Sequence, residues 1–266
     1  MWQGKTVVTV HDMTYELFPE LFNTINDERF REQKRRCVLS ADAVLCVSET
    51  TKNDIQKLYQ IDSDKLHVVL NGYHDVFRQL PSSNYKTKQL IFEPFILYIG
   101  SRVHYKNYRF LIQAYSQWKH RKDVKLVVVG TEWSYKEIEL QTKLDIHDRV
   151  QLLNKVDDDY LCHLYNTARA FVYPSQYEGF GIPLLEAMAC GCPVVASNIP
   201  STIEVASDCP IYFDPKNVQS LIAALDKALS EGRNSQRSMD GVQRVKNFSW
   251  NKTAEKTLKV YSPLLV

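Results

Sequence analysis

Glu178 and Glu186 are the residues of this chain best placed to do chemistry. They stand in Tyr173-Pro-Ser-Gln-Tyr-Glu-Gly-Phe-Gly-Ile-Pro-Leu-Leu-Glu186, with two glycines and a proline between them. An acid before a glycine-flexed turn and an acid inside the helix that follows can reach two ends of one ligand. The amides of that helix start can bind an anion between them. The arrangement suits a nucleotide-linked sugar.

Such a pair needs a strand before it and a helix behind it. Short apolar runs predict strands at 95–100, 124–130, 150–153, 170–173, 193–197 and 210–213. Helical spacing of Phe110, Leu111, Ala114, Tyr115 and Trp118 predicts a helix over 108–119. Further helices are predicted at 137–144, from Asp158 or Asp159 as cap to 168, at 183–190, 218–229 and 236–245. Pro183 suits a first turn and Gly191 a helix stop. Six strands alternating with helices predict an α/β fold with a doubly wound parallel sheet, whose ligands sit beyond the carboxyl ends of the strands. The loops there are 100–107, 130–134, 174–182 and 197–201.

The first part is α/β but shorter. Strands are predicted at 5–10, 43–47 and 66–70, with a helix over 27–39 and a second that Ser48 caps and that runs to Tyr59. Asp12 is expected to orient His11, and Asn71-Gly72 to mark a turn. The expected division is a partial N-terminal domain at 1–78, a linker at 79–94, a ligand-binding domain at 95–247, and a C-terminal helix at 248–266 that crosses back. Ser249 is its predicted cap, and Trp250, Leu258 and Tyr261 its apolar face.

Composition narrows the class. The chain has 266 residues, 44% of them hydrophobic, and a net charge of +2, which argues against a nucleic-acid partner. Arg29, Arg31, Lys34, Arg35 and Arg36 share a predicted helix. They read either as a solvated face or as a peripheral contact to an anionic membrane or acidic acceptor. Cys37, Cys46, Cys162, Cys190, Cys192 and Cys209 form no Cys-x-x-Cys pair and read as reduced core thiols of a cytoplasmic chain, one that could work at the cytosolic face of the membrane. No apolar run approaches the ~20 residues of a membrane span. The histidines are scattered, and Asp157, Asp158 and Asp159 read as a helix start, so no metal is expected.

The blocks Phe95-Ile-Leu-Tyr-Ile-Gly-Ser-Arg-Val-His-Tyr-Lys-Asn107, Gly130, the glutamate block and Gly191-Cys-Pro-Val-Val-Ala-Ser197 together resemble the retaining glycosyltransferases of the GT-B class, in the group 1 family also called GT4. Ala41-Asp-Ala-Val-Leu-Cys-Val-Ser48 and Val68-Val-Leu-Asn-Gly72 match as well, so the resemblance covers nearly the whole chain. It implies one complete Rossmann-like donor domain, and an acceptor domain of which only the latter half precedes the linker, as in an N-terminally truncated member.

The resemblance also implies roles. Arg102 and Lys106 hold the donor diphosphate, whose charge grows as the sugar departs. Glu186 accepts from the ribose hydroxyls, and Glu178 faces the donor sugar. His11 reaches across the cleft toward that sugar, and the amides of Phe180, Gly181 and Ile182 face sugar or phosphate. Gly100 and Gly130 let the backbone approach the nucleotide. The implied reaction moves a hexose from a nucleotide-sugar to a glycan or lipid-linked acceptor in surface-polysaccharide or lipopolysaccharide synthesis. Tyr15-Glu-Leu-Phe-Pro19 after His11-Asp12 favours mannose, and so GDP-mannose over a UDP-sugar. The nucleotide-sugar is substrate, and no cofactor is expected. Two alternatives remain: a nucleotide-sugar binding fragment with little turnover, and another GT-B enzyme such as a sugar-nucleotide epimerase.

Overall fold

The computed structural model describes residues 4–81, 91 and 93–265. The chain packs into two compact units. The first comprises residues 1–73, 177–182 and 248–266, and the second 74–176 and 183–247. Most of the stretch read as a linker at 79–94 lies outside the described residues.

The first unit opens with β1 (Val7–Val10), α1 (Thr14–Leu17), α2 (Ile25–Ser40), β2 (Ala43–Cys46), α3 (Glu49–Tyr59) and β3 (Leu66–Val68). The three strands are parallel in the order β1-β2-β3. Val8 stands opposite Val44, and Leu45 opposite His67. Helix α3 starts where the Ser48 hydroxyl accepts from the Thr51 amide at 2.9 Å, the cap its sequence predicts. Helix α2 starts at Thr24, whose side chain and that of Asp27 bond each other's amides. Val10, Met13, Val38, Val44, Ile55 and Leu66 form the core. Helix α1 has only four residues, too few to show a helical period in sequence.

The second unit contains β4 (Phe95–Ile99), α4 (Tyr108–Gln117), β5 (Lys125–Val129), α5 (Tyr135–Lys143), β6 (Val150–Leu153), α6 (Asp158–Thr167) and β7 (Ala170–Tyr173). It continues through α7 (Ile182–Ala189), β8 (Val194–Ser197), α8 (Pro200–Ala206), β9 (Ile211–Phe213), α9 (Val218–Glu231) and α10 (Gln236–Arg244). All six predicted strands form, in one parallel sheet ordered β6-β5-β4-β7-β8-β9. The chain winds outward one way from β4, then returns beside it at β7. That reversal is the topological switch point at which α/β sheets bind ligands.

Trp118, Tyr98 and Tyr115 are almost fully buried in its core, with Leu111, Ile112 and Val128. The Trp118 indole donates to Asp226 Oδ1 at 2.7 Å, which removes the cost of burying its N–H. Asp157, rather than Asp158 or Asp159, caps α6, accepting from the Tyr160 amide at 2.7 Å. Helix α8 is not expected from the sequence, because its seven residues open on the proline of an Asn-Ile-Pro stretch that looks like a loop.

The chain then returns to the first unit as α11 (Trp250–Tyr261), capped by Ser249 as predicted. Its expected apolar face is not buried: Trp250, Leu258 and Tyr261 are 48%, 62% and 39% exposed. The helix is held instead by Thr253, whose hydroxyl donates to the Leu70 carbonyl at 2.7 Å. Among the described residues no helix is long and apolar enough to cross a membrane.

Candidate functional site

The switch point is built from the loops that follow β4 and β7. After β4 the chain makes a short turn at His104–Lys106 and enters α4 through Asn107, in left-handed conformation. The Asn107 side chain donates to the Pro215 carbonyl at 3.0 Å and accepts from Gln176 Nε2 at 3.2 Å. The Gln176 amide donates to the Tyr105 carbonyl at 2.7 Å. Lys106 is therefore carried on a turn fastened on both sides, with its ammonium 5.3 Å from the Tyr105 ring centre. Asn107 and Gln176 were not singled out in the sequence, because a polar residue that braces a loop carries no periodic signal.

Gly100, Arg102 and Gly130 come together at the carboxyl ends of β4 and β5. A Cβ on Gly130 would stand 2.9 Å from Arg102 Nη1 and 3.0 Å from the Gly100 carbonyl oxygen. Glycine there makes room for the guanidinium. Arg102 is not the open cation that its loop position suggests. Its side chain is 6% exposed and pairs with Glu137. Nε donates to Glu137 Oε1, and Nη2 to Glu137 Oε2 at 3.3 Å and to the Glu132 carbonyl at 2.8 Å. The guanidinium lies 4.5 Å from the Trp133 ring centre. Glu137 Oε2 also accepts from the amide and hydroxyl of Ser134, both at 2.7 Å, closing the capping box of α5. Burial opposes ionisation of Glu137, but Arg102 and the Ser134 donors outweigh it and hold the carboxyl below its usual range. The helix starts two residues before the expected 137, at the Ser-x-x-Glu capping spacing; no spacing signals the second use of Glu137 as an arginine partner.

Glu186 lies on α7 against α6. Tyr165 donates its hydroxyl to Glu186 Oε2 at 2.9 Å. Burial pushes the Glu186 carboxyl up to about 7, against the pull of the Tyr165 hydrogen bond. Burial and the neighbouring carboxylate together raise the Tyr165 phenol. One turn away the thiols of Cys162 and Cys190 face each other at 3.8 Å. Of the six cysteines read as core thiols, Cys37 is exposed and Cys209 half-buried.

The other half of the glutamate block belongs to the first unit. Residues 177–182 lie among the elements that follow His11 and Ser48. The Gly179 carbonyl accepts from the hydroxyls of Ser48 at 2.5 Å and Thr51 at 3.2 Å. A Cβ on Gly179 would stand 1.8 Å from the His11 carbonyl oxygen, so only glycine allows this approach. The Tyr177 hydroxyl donates to Asp54 at 2.8 Å and accepts from the Met13 amide at 3.1 Å. Phe180 meets the edge of Phe248, with ring centres 6.0 Å apart. Glu178 is buried and His11 exposed. Asp12 does not take the expected role beside His11; its carboxylate accepts from the Thr14 amide at 2.9 Å and starts α1. Ser48 is thus more than a helix cap. Among the described residues, no group of three or more His, Cys, Asp or Glu side chains could hold a metal ion.

A fold of this topology with these blocks defines a class. Residues 83–243 match the family described as Glycosyl transferases group 1, and residues 1–76 match Glycosyltransferase Family 4. The chain belongs to the group 1 glycosyltransferases. It is 32% identical to O-antigen chain mannosyltransferase B of Escherichia coli, along 98% of its own length and 71% of that protein. It is 30% identical to O-antigen chain mannosyltransferase RfbU of Salmonella typhimurium, along 91% of its own length and 64% of that protein. Among solved structures, sucrose-phosphate synthase from Thermosynechococcus elongatus superposes with a TM-score of 0.81 at 22% identity, covering 97% of this chain and 67% of that one. Anabaena HepE in complex with UDP-glucose superposes equally well, with a TM-score of 0.81 at 19% identity over 97% and 72%. These likenesses establish the GT-B fold, and the family makes the chain a glycosyltransferase of that fold.

Proposed function

We propose that the protein transfers mannose from a nucleotide-activated donor to a glycan or lipid-linked acceptor, with retention of anomeric configuration and without a metal or other cofactor. The observation that carries this reading is the alignment with O-antigen chain mannosyltransferase B along 98% of the chain. The donor diphosphate is assigned to Lys106 and Arg102, beside Gly100 and Gly130. Glu186 takes the ribose hydroxyls, as a carboxylate offers acceptors to both. Glu178, His11 and the amides of Phe180, Gly181 and Ile182 are assigned to the sugar. Charge accumulating on the departing diphosphate is where two cations lower the barrier most.

The test is a thermal-shift panel of GDP, UDP and ADP with their sugars, followed by product analysis of the responding donor with a glycan acceptor. A ligand that binds only the native state raises the melting temperature. A response to GDP-mannose and an axial mannoside product would support the proposal; no response to any nucleotide would defeat it.

Helix α2 supports a further contact with an anionic membrane surface. Arg29, Arg35 and Arg36 are exposed on it beside Ile25 and Phe30, which are 69% and 48% exposed. Arg31 and Lys34, read with them as one basic face, are engaged within the unit. Arg31 donates to the Phe22 carbonyl at 3.0 Å, and Lys34 pairs with Glu16 at 2.6 Å. Co-sedimentation with anionic but not neutral vesicles, lost on Arg29→Glu with Arg35→Glu, would support this contact.

A further inference from the structure

Arg102 presents a conflict between position and state. It stands at the carboxyl ends of β4 and β5, where the donor diphosphate is assigned, yet its guanidinium faces protein on every side. Glu137 takes one edge, the Glu132 carbonyl shares it, and Trp133 covers a face. The remaining nitrogen, Nη1, is buried and has no hydrogen-bond acceptor. In the same cluster the Tyr108 hydroxyl is also buried without a partner, and its ring centre lies 5.9 Å from the guanidinium. Buried donors without acceptors are rare, because each loses its bond to water and gains nothing in return. Two in one cluster at the carboxyl ends of β4 and β5 mark an arrangement that a ligand would improve.

We propose that the Arg102–Glu137 pair is a latch that competes with the donor. Glu137 and the diphosphate offer the guanidinium the same chemistry, a planar pair of anionic oxygens. Both cannot hold its Nε edge at once. Donor binding then requires Arg102 to leave Glu137, and the measured affinity is reduced by the fraction of molecules in which the latch is closed. The segment between Gly130 and Ser134 has to give, since it supplies Trp133 and the Glu132 carbonyl. Glu137 itself stays in place, anchored by Ser134 at the start of α5. This inference rests on the assignment of the diphosphate to Arg102.

Glu137→Gln tests it, because glutamine at this position preserves a capping box while removing the charge. GDP, UDP and inorganic pyrophosphate are titrated calorimetrically into the parent chain, Glu137→Gln, Arg102→Ala and the double variant. Ser134→Ala serves as a control that weakens the cap and keeps the ion pair. The latch predicts that Glu137→Gln binds its nucleotide about tenfold more tightly, that Ser134→Ala stays within about twofold, and that the gain vanishes in the double variant. Equal or weaker binding by Glu137→Gln, with Arg102→Ala also weakened, overturns the latch and leaves the diphosphate assignment standing. Unchanged binding in Arg102→Ala overturns both.

Discussion

Two carboxylates of the second unit, Glu137 and Glu186, are held in opposite ways. Glu137 is compensated by a cation and two cap donors, and its carboxyl lies below the usual range. Glu186 is half-buried against a phenol, with one neutral donor, and its carboxyl rises to about 7. Full compensation locks a group in one charge state. Partial compensation leaves it poised, so that a ligand bringing hydroxyl donors can complete its solvation. The first arrangement is suited to holding a neighbour, the second to receiving a substrate.

The comparison is most exposed at Arg102. Arg102→Ala should lower the transfer rate about a hundredfold or more if the guanidinium reaches the leaving group. A rate near that of the parent, with only a lower melting temperature, would reduce the pair to a brace between two loops. Next in size is Glu186→Ala, expected to weaken nucleotide-diphosphate binding about tenfold or more through lost ribose contacts. Thermal destabilisation without any change in affinity would make Glu186 structural.

The proton supplies a sharper contrast. If Glu186 accepts from ribose hydroxyls as proposed, they favour its ionised form, and nucleotide affinity should rise as pH increases through about 7. Calorimetry across that range should show Glu186→Gln with a flatter profile. For stability the sign is reversed. A carboxyl raised in the folded state contributes stability that is fully present below its ordinary range and lost as pH rises through about 7. Glu186→Gln should therefore melt higher relative to the parent at pH 8 than at pH 5, and a constant difference would refute the shift. The smallest effect is expected from Ser134→Ala, about 1 kcal/mol in chemical denaturation from the lost helix cap.

The ease of reading these residues differed for physical reasons. The inner strands of the second unit, β4, β5, β7 and β8, are buried on both faces and so appear as nearly continuous apolar runs. All six formed within a residue or two of the expected bounds at each end. Helix starts at Ser48 and Ser249 follow from local side-chain-to-amide bonds, which sequence spacing reveals; the start at Ser134 obeys the same rule but precedes the expected 137. The partners of the site residues were harder. Tyr165 lies 21 residues from Glu186, and Glu137 lies 35 from Arg102. Neither distance follows a helical or strand period. The apolar stripe of α11 misled for the opposite reason, since a period shows that a face exists but not that anything covers it.

Sequence alone determined the alternation of strand and helix and, with it, a parallel sheet, because short-range pattern sets the elements and the handedness of strand–helix–strand connections sets how they return; the strand order, and so the switch point between β4 and β7, came from the tertiary structure. Sequence also singled out Glu178, Glu186, Arg102 and Lys106 as candidate site residues. Tertiary structure decided their condition. Packing of α6 on α7 withdrew water from Glu186, and closure of α5 onto the β4 loop gave Arg102 a partner. The docking of residues 177–182 on the first unit set Gly179 against His11 and Ser48. Burial and charge compensation are sums over neighbours brought together from distant positions, and no local pattern contains them.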